Sequence, residues 1–550
     1  MTDAIALEKS VEKRAPGNAP RRGKPVASDI EIELKLEASP AMLQALRGHP
    51  ALAASDGHEH TEHLVTTYFD SPGRLLARAG ASLRLRQRSH AARPETAIEQ
   101  TLKLGGRGGG VLERSEWTVT LPGDAPHAPV AGAFPPRARS ALGNILGQAD
   151  LAGMAQVRVE RHVRNLRRGD ALIELAFDTG AITADGAAPT TVCELELELR
   201  QGRLADVLEL ALELPLGPDL HWSIATKAQR AQALSAGQER KGKPPVTTCV
   251  PPLARGHSIA QGLHAIGWAC LGQLLANYPQ VVAHGDAGAL HQSRVAMRRL
   301  RTAMGLFNRV LLTGDTQANP LRAQWREMAS GLGRARDLHV LRRDLLASDA
   351  AKRAAGPRLL DHLARAEAQA TADAQALLAS SAFQMLLLRQ ALWLETGAWR
   401  QGGLTQGPAL AEFAGALFAR RRRPFKGMRR QVATLPPEAL HDLRIEVKKL
   451  RYAVGFLMPV CSPAQAPIAR EYEEVLTDLQ DVLGDLHDDD LRRDPAATDA
   501  LHGPLDHRLQ RRLAQAMTAL SGKDGREARL ARTRALLARE KELAGWWEAE

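Results

Sequence analysis

The stretch Ile30-Glu31-Ile32-Glu33-Leu34-Lys35-Leu36-Glu37 alternates strictly between apolar and charged residues. A period of two marks a β-strand, whose successive side chains point to opposite faces. Ile30, Ile32, Leu34 and Leu36 make one face; Glu31, Glu33, Lys35 and Glu37 make the other. Alone, this is a half-buried strand with a solvated face. The pattern recurs at 64–70, 81–88, 97–104, 111–120, 156–166, 171–178 and 192–199, separated by turn signals such as Ser71-Pro72-Gly73 and the glycines from Gly105 to Gly110. Ser39-Pro40 opens a short helix ending near Arg47. Eight strands in succession predict an antiparallel meander, and closure into a barrel removes its edges.

Charge type segregates strand by strand. Arg84, Arg86 and Arg88 share one side of the third strand, and Lys103 stands opposite the leucines of the fourth. Arg114 and Glu116 share a face of the fifth, Arg161 lies in the sixth, and Glu174 and Asp178 share a face of the seventh. Glu194, Glu196 and Glu198 line up on the eighth. The leucine faces have to be buried, so the charged faces look either outward or into a tunnel. An outward arrangement leaves the segregation unexplained. Carboxylates facing guanidinium and ammonium groups across one interior suit a metal-bound polyphosphate, because carboxylate oxygens take hard cations and Arg and Lys take phosphate oxygens.

These residues resemble the CYTH superfamily, the triphosphate tunnel metalloenzymes. Glu31-x-Glu33-x-Lys35 is similar to the family's N-terminal signature. Tyr68-Phe69-Asp70-Ser71-Pro72, Leu83-Arg84-Leu85-Arg86, Thr101-Leu102-Lys103, Arg114-Ser115-Glu116, the run from Ile173 to Asp178, the run from Glu194 to Glu198 and a closing Thr226-Lys227-x-x-Arg230 come after it in order. The resemblance implies an inorganic triphosphatase in which Lys35, Arg84, Arg86, Lys103, Arg114, Arg161, Lys227 and Arg230 hold phosphates. It implies Mg²⁺ or Mn²⁺ on Glu31, Glu33, Asp178, Glu194, Glu196 and Glu198. Lys35 and Lys227 are the candidate catalytic residues, and Glu174 is the one carboxylate expected to pair with a neighbouring Arg instead. The family also holds thiamine triphosphatases and adenylate cyclases, but no base-binding signature stands out here.

After a Pro-, Gly- and Lys-rich stretch, the pattern turns helical from Ser258. The run from Leu290 to Arg301 matches the run from Leu440 to Arg451, with His291 and His441 150 residues apart (441 − 291). Leu332-Gly333-x-x-x-Asp337 and Leu483-Gly484-x-x-x-Asp488 repeat at nearly the same offset, 151 (483 − 332). On a helix, His291, Arg294, Arg298 and Arg301 form one stripe, and His441, Arg444, Lys448 and Arg451 form another, with Lys449 beside it. Like charges on one stripe repel, and a polyanion between two such stripes relieves that repulsion. This half resembles the CHAD family, the conserved-histidine α-helical domain, and the resemblance implies binding of inorganic polyphosphate.

The 550 residues are too many for one ordinary core. The expected fold class is an α+β domain built on an eight-stranded antiparallel β-barrel tunnel, followed by an all-α bundle with an internal two-fold repeat. The expected boundaries are a basic tail at 1–28, the tunnel at 29–236, a linker at 237–257 and a helical domain at 258–550, with repeats near 258–400 and 408–500 and a helical tail. The formal net charge of +11 favours a polyanionic partner. Ala- and Arg-rich composition offers a plainer explanation of that charge. Nucleic acid is disfavoured, because the basic helices lack interleaved aromatics for base stacking. Cys193, Cys249, Cys270 and Cys461 form no CxxC, so a reducing, cytoplasmic setting is expected. No apolar run of roughly 18 residues and no signal-peptide core predicts a membrane segment. The remaining alternative is a polyphosphate-binding protein with an inactive tunnel. Oligomeric state is left open.

Overall fold

The computed structural model describes residues 30–53, 59–90, 93–105, 113–121, 128–237, 244–248, 250–400, 409–492, 501–503, 505–520 and 525–548. The basic tail, the glycines from Gly106 to Gly110 and part of the expected linker lie outside the described residues.

Eight antiparallel strands close into a barrel: β1 (Ile30–Ala38), β2 (Glu59–Asp70), β3 (Ala81–His90), β4 (Arg93–Gly105), β5 (Glu113–Leu121), β6 (Ala152–Arg168), β7 (Ala171–Thr183) and β8 (Thr190–Gln201). Their order is β5-β4-β3-β2-β6-β7-β8-β1, with β1 returning to β5. The N-terminal end of β1 pairs with β5, and its C-terminal half pairs with β8 on one side and a short β9 (Leu220–Ser223) on the other. Strand β2 starts at Glu59, well ahead of the expected Leu64. Its added residues are mostly polar on both faces and so carry no apolar alternation.

Apart from Leu64 on β2, the strands turn the leucines of their cores outward. Leu34, Leu36, Leu175, Phe177, Leu195 and Leu197 are fully buried under α1 (Pro40–Arg47) and α4 (Leu204–Leu212). Pro40 sits in the first turn of α1, and the Ser39 side chain accepts from the Met42 N–H. Leu83, Leu85, Leu102 and Leu121 pack under α2 (Leu75–Arg78) and α3 (Pro136–Leu146). The helix after the eighth strand therefore flanks the barrel. The plug is α5 (Lys227–Ser235), whose Ala228, Ala231 and Leu234 meet Leu64, Val157, Val159, Ile182 and Val192. Those five lie on the charged-face parity of their strands, so α5 fills one end of the interior.

The helical region begins with α6 (Ile259–His284), α7 (Ala287–Leu311), α8 (Ala318–Gly331), α9 (Gly333–Ala347), α10 (Asp349–Ala379) and α11 (Ser381–Thr396). It continues with α12 (Leu410–Met428), α13 (Pro437–Leu457), α14 (Gln465–Arg492), α15 (His507–Leu520) and α16 (Arg526–Leu543). Helix α6 is long and apolar enough to cross a membrane, and 72% of its most apolar window is buried within the protein. The C-terminal helices dock on the bundle: α15 on α9 and α10, α16 on α14. One apolar core runs from the outer face of β1, β7 and β8 through α4 and β9 into α6 and α11.

Candidate active site and a second basic surface

The charged faces of the strands enclose a cavity of about 660 Å³, lined by Glu31, Glu33, Lys35, Arg84, Arg86, Lys103, Arg114, Glu116, Arg161, Glu174, Glu196, Glu198 and Lys227, among others. Strand register fixes the acidic wall. Glu174, Glu198 and Glu33 lie side by side across β7, β8 and β1; two residues along, Glu196 stands beside Lys35. The next row brings Asp178, Glu194 and Glu37 together.

Lys227 reaches this last group from the first turn of α5. A capping box between Thr226 and Gln229 fixes the start of that helix. The Lys227 Nζ lies 2.6 Å from Asp178 Oδ2 and 2.7 Å from Glu196 Oε1, and it also contacts Glu194. Arg161 adds contacts of 2.6 Å to Asp178 and 2.5 Å to Glu196. Burial opposes charge on Lys227, but Asp178, Glu194 and Glu196 outweigh it and raise its pKa. Burial likewise opposes charge on Glu196, and Lys227 and Arg161 hold its carboxyl well below the usual range. Arg230 turns to Glu194 (2.5 Å) and is not among the residues lining the cavity.

The other end of the acidic wall is under-compensated. Burial, then Glu196 and Glu31, push Glu33 up to about 7. Burial pushes Glu198 up to about 8 against the pull of Arg200, with Glu31, Glu174 and Glu33 adding to the rise. Glu31 is held by Lys103 (2.6 Å), which also contacts Glu116 at 2.9 Å. Glu174 pairs with Arg200 at 2.8 Å, the structural role allowed for it. On the basic wall, burial and then the neighbouring Arg84 and Arg161 push Arg86 down to about 9.

Asp178, Glu194 and Glu196 each offer an oxygen, and these atoms lie within 4.8 Å of one another. A lysine ammonium already sits against all three. The residues present fit a divalent cation: an all-oxygen donor set of clustered carboxylates, with Glu33 and Glu198 pushed up by burial first and by neighbouring carboxylates second.

The sequence reading put Arg88 on the face of Arg84 and Arg86 but left it, Glu62, Tyr68 and Arg200 out of the candidate site. Arg88 bridges Glu62 (2.7 Å) and Glu99 (3.2 Å), and Tyr68 and Arg200 also line the cavity. Arg88 continues the two-residue period of Arg84 and Arg86, which was the available signal. Glu62 fell outside the expected strand.

In the helical region the two stripes converge. Arg298 Nε on α7 donates to the Tyr452 hydroxyl on α13 at 2.9 Å. Burial, then Arg298, Arg444, Arg301 and Lys449, push Lys448 down to about 8. Burial, then Arg336, Arg298, Arg294 and Arg343, push His291 down to about 4, so it contributes no charge at neutral pH. Arg294 is tied to the Ala329 carbonyl (2.6 Å), and Arg451 donates to Gln480 at 3.0 Å. Lys449 turns to Glu446 (2.5 Å), and His441 meets His487 at 3.3 Å between Nδ1 atoms. The Arg444 Nε is buried with no hydrogen-bond partner among the described residues. Arg322 and Arg326 on α8 press on Arg301, and Arg336 and Arg343 on α9 surround His291. The sequence reading passed over these four arginines because it followed the basic stripes only on the two helices that carry the repeated His-Arg run.

A closed barrel with facing acidic and basic walls, joined to a helical bundle with a crowded cationic face, defines a CYTH–CHAD architecture. The CYTH domain model matches residues 29–231 and the CHAD domain model matches residues 265–497, so the chain carries these two domains in that order. An inorganic triphosphatase of Haemophilus influenzae is 29% identical over 211 residues, which are 38% of this chain and 56% of that relative. The chain thus spans little more than half the length of that relative. The CHAD domain of the plant Ricinus communis aligns with 54% of this chain and 97% of its own, at 22% identity and a TM-score of 0.45. A Hippeastrum protein assigned as an adenylyl cyclase, and described as having a dominant triphosphatase activity, aligns with 38% of this chain and 96% of its own, at 20% identity and a TM-score of 0.25.

Proposed function

We propose that the barrel hydrolyses inorganic triphosphate or a short polyphosphate with the aid of Mg²⁺ or Mn²⁺, and that the helical domain binds polyphosphate. The carrying observation is the enclosed cavity with its acidic row, Glu174, Glu198 and Glu33, and its wall of Arg84, Arg86, Lys103, Arg114 and Arg161. The CYTH match and the triphosphatase relative support hydrolysis of a triphosphate. Arg84, Arg86, Lys103, Arg114 and Arg161 bind and orient the phosphate oxygens, which relieves the crowding of like charge around Arg86. Glu31, Glu33, Glu196 and Glu198, with Asp178 and Glu194 behind them, hold the cation. A divalent ion there supplies charge neutralisation and a more acidic bound water. Lys35 and Lys227 fix the carboxylates around the reacting phosphate.

A substrate panel with metal titration tests this: tripolyphosphate, long-chain polyphosphate, ATP and thiamine triphosphate. The expected result is phosphate release from tripolyphosphate with Mg²⁺ or Mn²⁺ and none in EDTA. Intact binding of long chains without hydrolysis of any substrate would reduce the protein to a polyphosphate binder.

The helical surface predicts its own pH dependence. A lowered Lys448 pKa means that the fold disfavours its charge; this cost is present below about 8 and vanishes as pH rises towards the ordinary lysine value of about 10.4. Free protein therefore loses that penalty over the interval in which polyphosphate loses a cation. Affinity for long-chain polyphosphate, measured at constant salt, falls between pH 7 and 9, and Lys448→Arg flattens the fall. An unchanged slope in the arginine variant would remove Lys448 from the binding surface.

A further inference from the structure

Strand β9 has four residues and, among the described residues, β1 is its one strand partner. On its outward edge Leu220 bonds back to Gly217, while Trp222 bonds to side chains of the helical domain. The Trp222 N–H donates to Gln384 Oε1 on α11 at 3.1 Å, and the Trp222 carbonyl accepts from the Tyr278 hydroxyl on α6. Trp222, Tyr278 and Gln384 are all buried. Both partners are themselves fixed: the Gln384 amide donates to the Leu378 carbonyl at 3.3 Å, and the Tyr278 ring meets Phe383 edge-on at 5.3 Å.

The residues just beyond Trp222 touch the tunnel. The Ser223 hydroxyl donates to Glu37 at 2.7 Å and accepts from the Ala225 N–H at 3.3 Å. The Ala225 carbonyl accepts from the Lys35 ammonium, which lies 3.8 Å from Glu194. Thr226 then caps α5 and delivers Lys227. A one-residue slip of β9 would swap the faces of Trp222 and Ser223 and withdraw the acceptor from Lys35. A four-residue edge strand is too short to fix that register by pairing alone.

We propose that Tyr278 and Gln384 are positioning residues of the tunnel, through which the helical domain sets β9 and, with it, Lys35 and Glu37. This rests on the triphosphatase reading of the barrel. Tripolyphosphate affinity is measured by calorimetry on the full chain, together with hydrolysis and melting temperature. Tyr278→Phe and Gln384→Met each weaken affinity about fivefold, the loss of roughly one hydrogen bond. Ser223→Ala, which leaves the helical domain untouched, reproduces the direction of that loss. In a Lys35→Met background the Tyr278→Phe effect disappears, because the two changes act through one contact. Full additivity in that cycle, or unchanged affinity in both helical-domain variants, overturns the proposal while the triphosphatase reading stands. A wild-type protein that neither binds nor hydrolyses tripolyphosphate overturns both.

Discussion

Lys227→Met lowers kcat/KM for tripolyphosphate by about two to three orders of magnitude, the scale for removing one preorganised charged group from a dry site. It also destabilises the barrel. Asp178 and Glu194 have no exposed side-chain surface, and the substitution leaves both carboxylates and Glu196 without their shared ammonium. Breaking a buried ion cluster from one side costs about 3–5 kcal/mol. The two losses separate with added Mg²⁺. A divalent ion taken up among the three oxygens stabilises the folded variant by mass action. Melting temperature therefore recovers in Mg²⁺ more for Lys227→Met than for wild type, while activity stays low. Near wild-type turnover in the variant would show that Lys227 is only a buried counter-ion.

The second large effect lies at the far end of the chain. Glu540 on α16 is fully buried and accepts from Arg422 (2.7 Å), Arg429 (3.3 Å) and the Tyr472 hydroxyl (2.7 Å). Arg422 lies on α12, Arg429 just past its end and Tyr472 on α14, so one carboxylate ties three helices together. Glu540→Ala leaves two half-buried guanidinium groups facing each other and costs the helical domain about 3 kcal/mol. Glu540→Gln keeps an acceptor for Tyr472 and costs less. Denaturant unfolding followed by the fluorescence of Trp546 and Trp547, which pack on Phe418 and Tyr472, reads this directly. An unchanged midpoint for Glu540→Ala would make α16 a passive passenger.

The barrel was legible because its interior is polar and its exterior is covered. That inverts the usual pattern but keeps the period of two, so Glu31, Glu33, Lys35, Arg84, Arg86 and Glu194 to Glu198 fall on one face by parity alone. Partnerships were not legible, since register across strands depends on turns that parity does not encode. Hence the six candidate metal carboxylates read as one set, whereas Lys227 and Arg161 neutralise Asp178, Glu194 and Glu196, and Glu33 and Glu198 stay crowded. Strand β9 was missed because Leu-His-Trp-Ser is too short to show alternation. Helix α5 had a signal in Thr226-x-x-Gln229, a capping box hidden inside a motif read for its charges. The Glu540 lock was invisible, because one of three glutamates in an Arg-rich helix looks like a solvated residue. The His and Arg stripes were readable from helical spacing, but not that Arg294 and Lys449 spend their charge on nearby acceptors.

Strand β1 finally carries a consequence for how the chain is made. Its partners are residues 113–115, 194–198 and 220–223, all downstream, so β1 leaves the ribosome before any strand it pairs with. Until β8 and β9 emerge, the C-terminal half of this Ile- and Leu-rich strand waits with both hydrogen-bonding edges open, the configuration most prone to pairing with another chain. Glu31, Glu33, Lys35 and Glu37 break its apolar run at every second residue, as gatekeepers against that fate. The charges that later face a polyphosphate thus first serve to keep the newborn strand from the wrong neighbour.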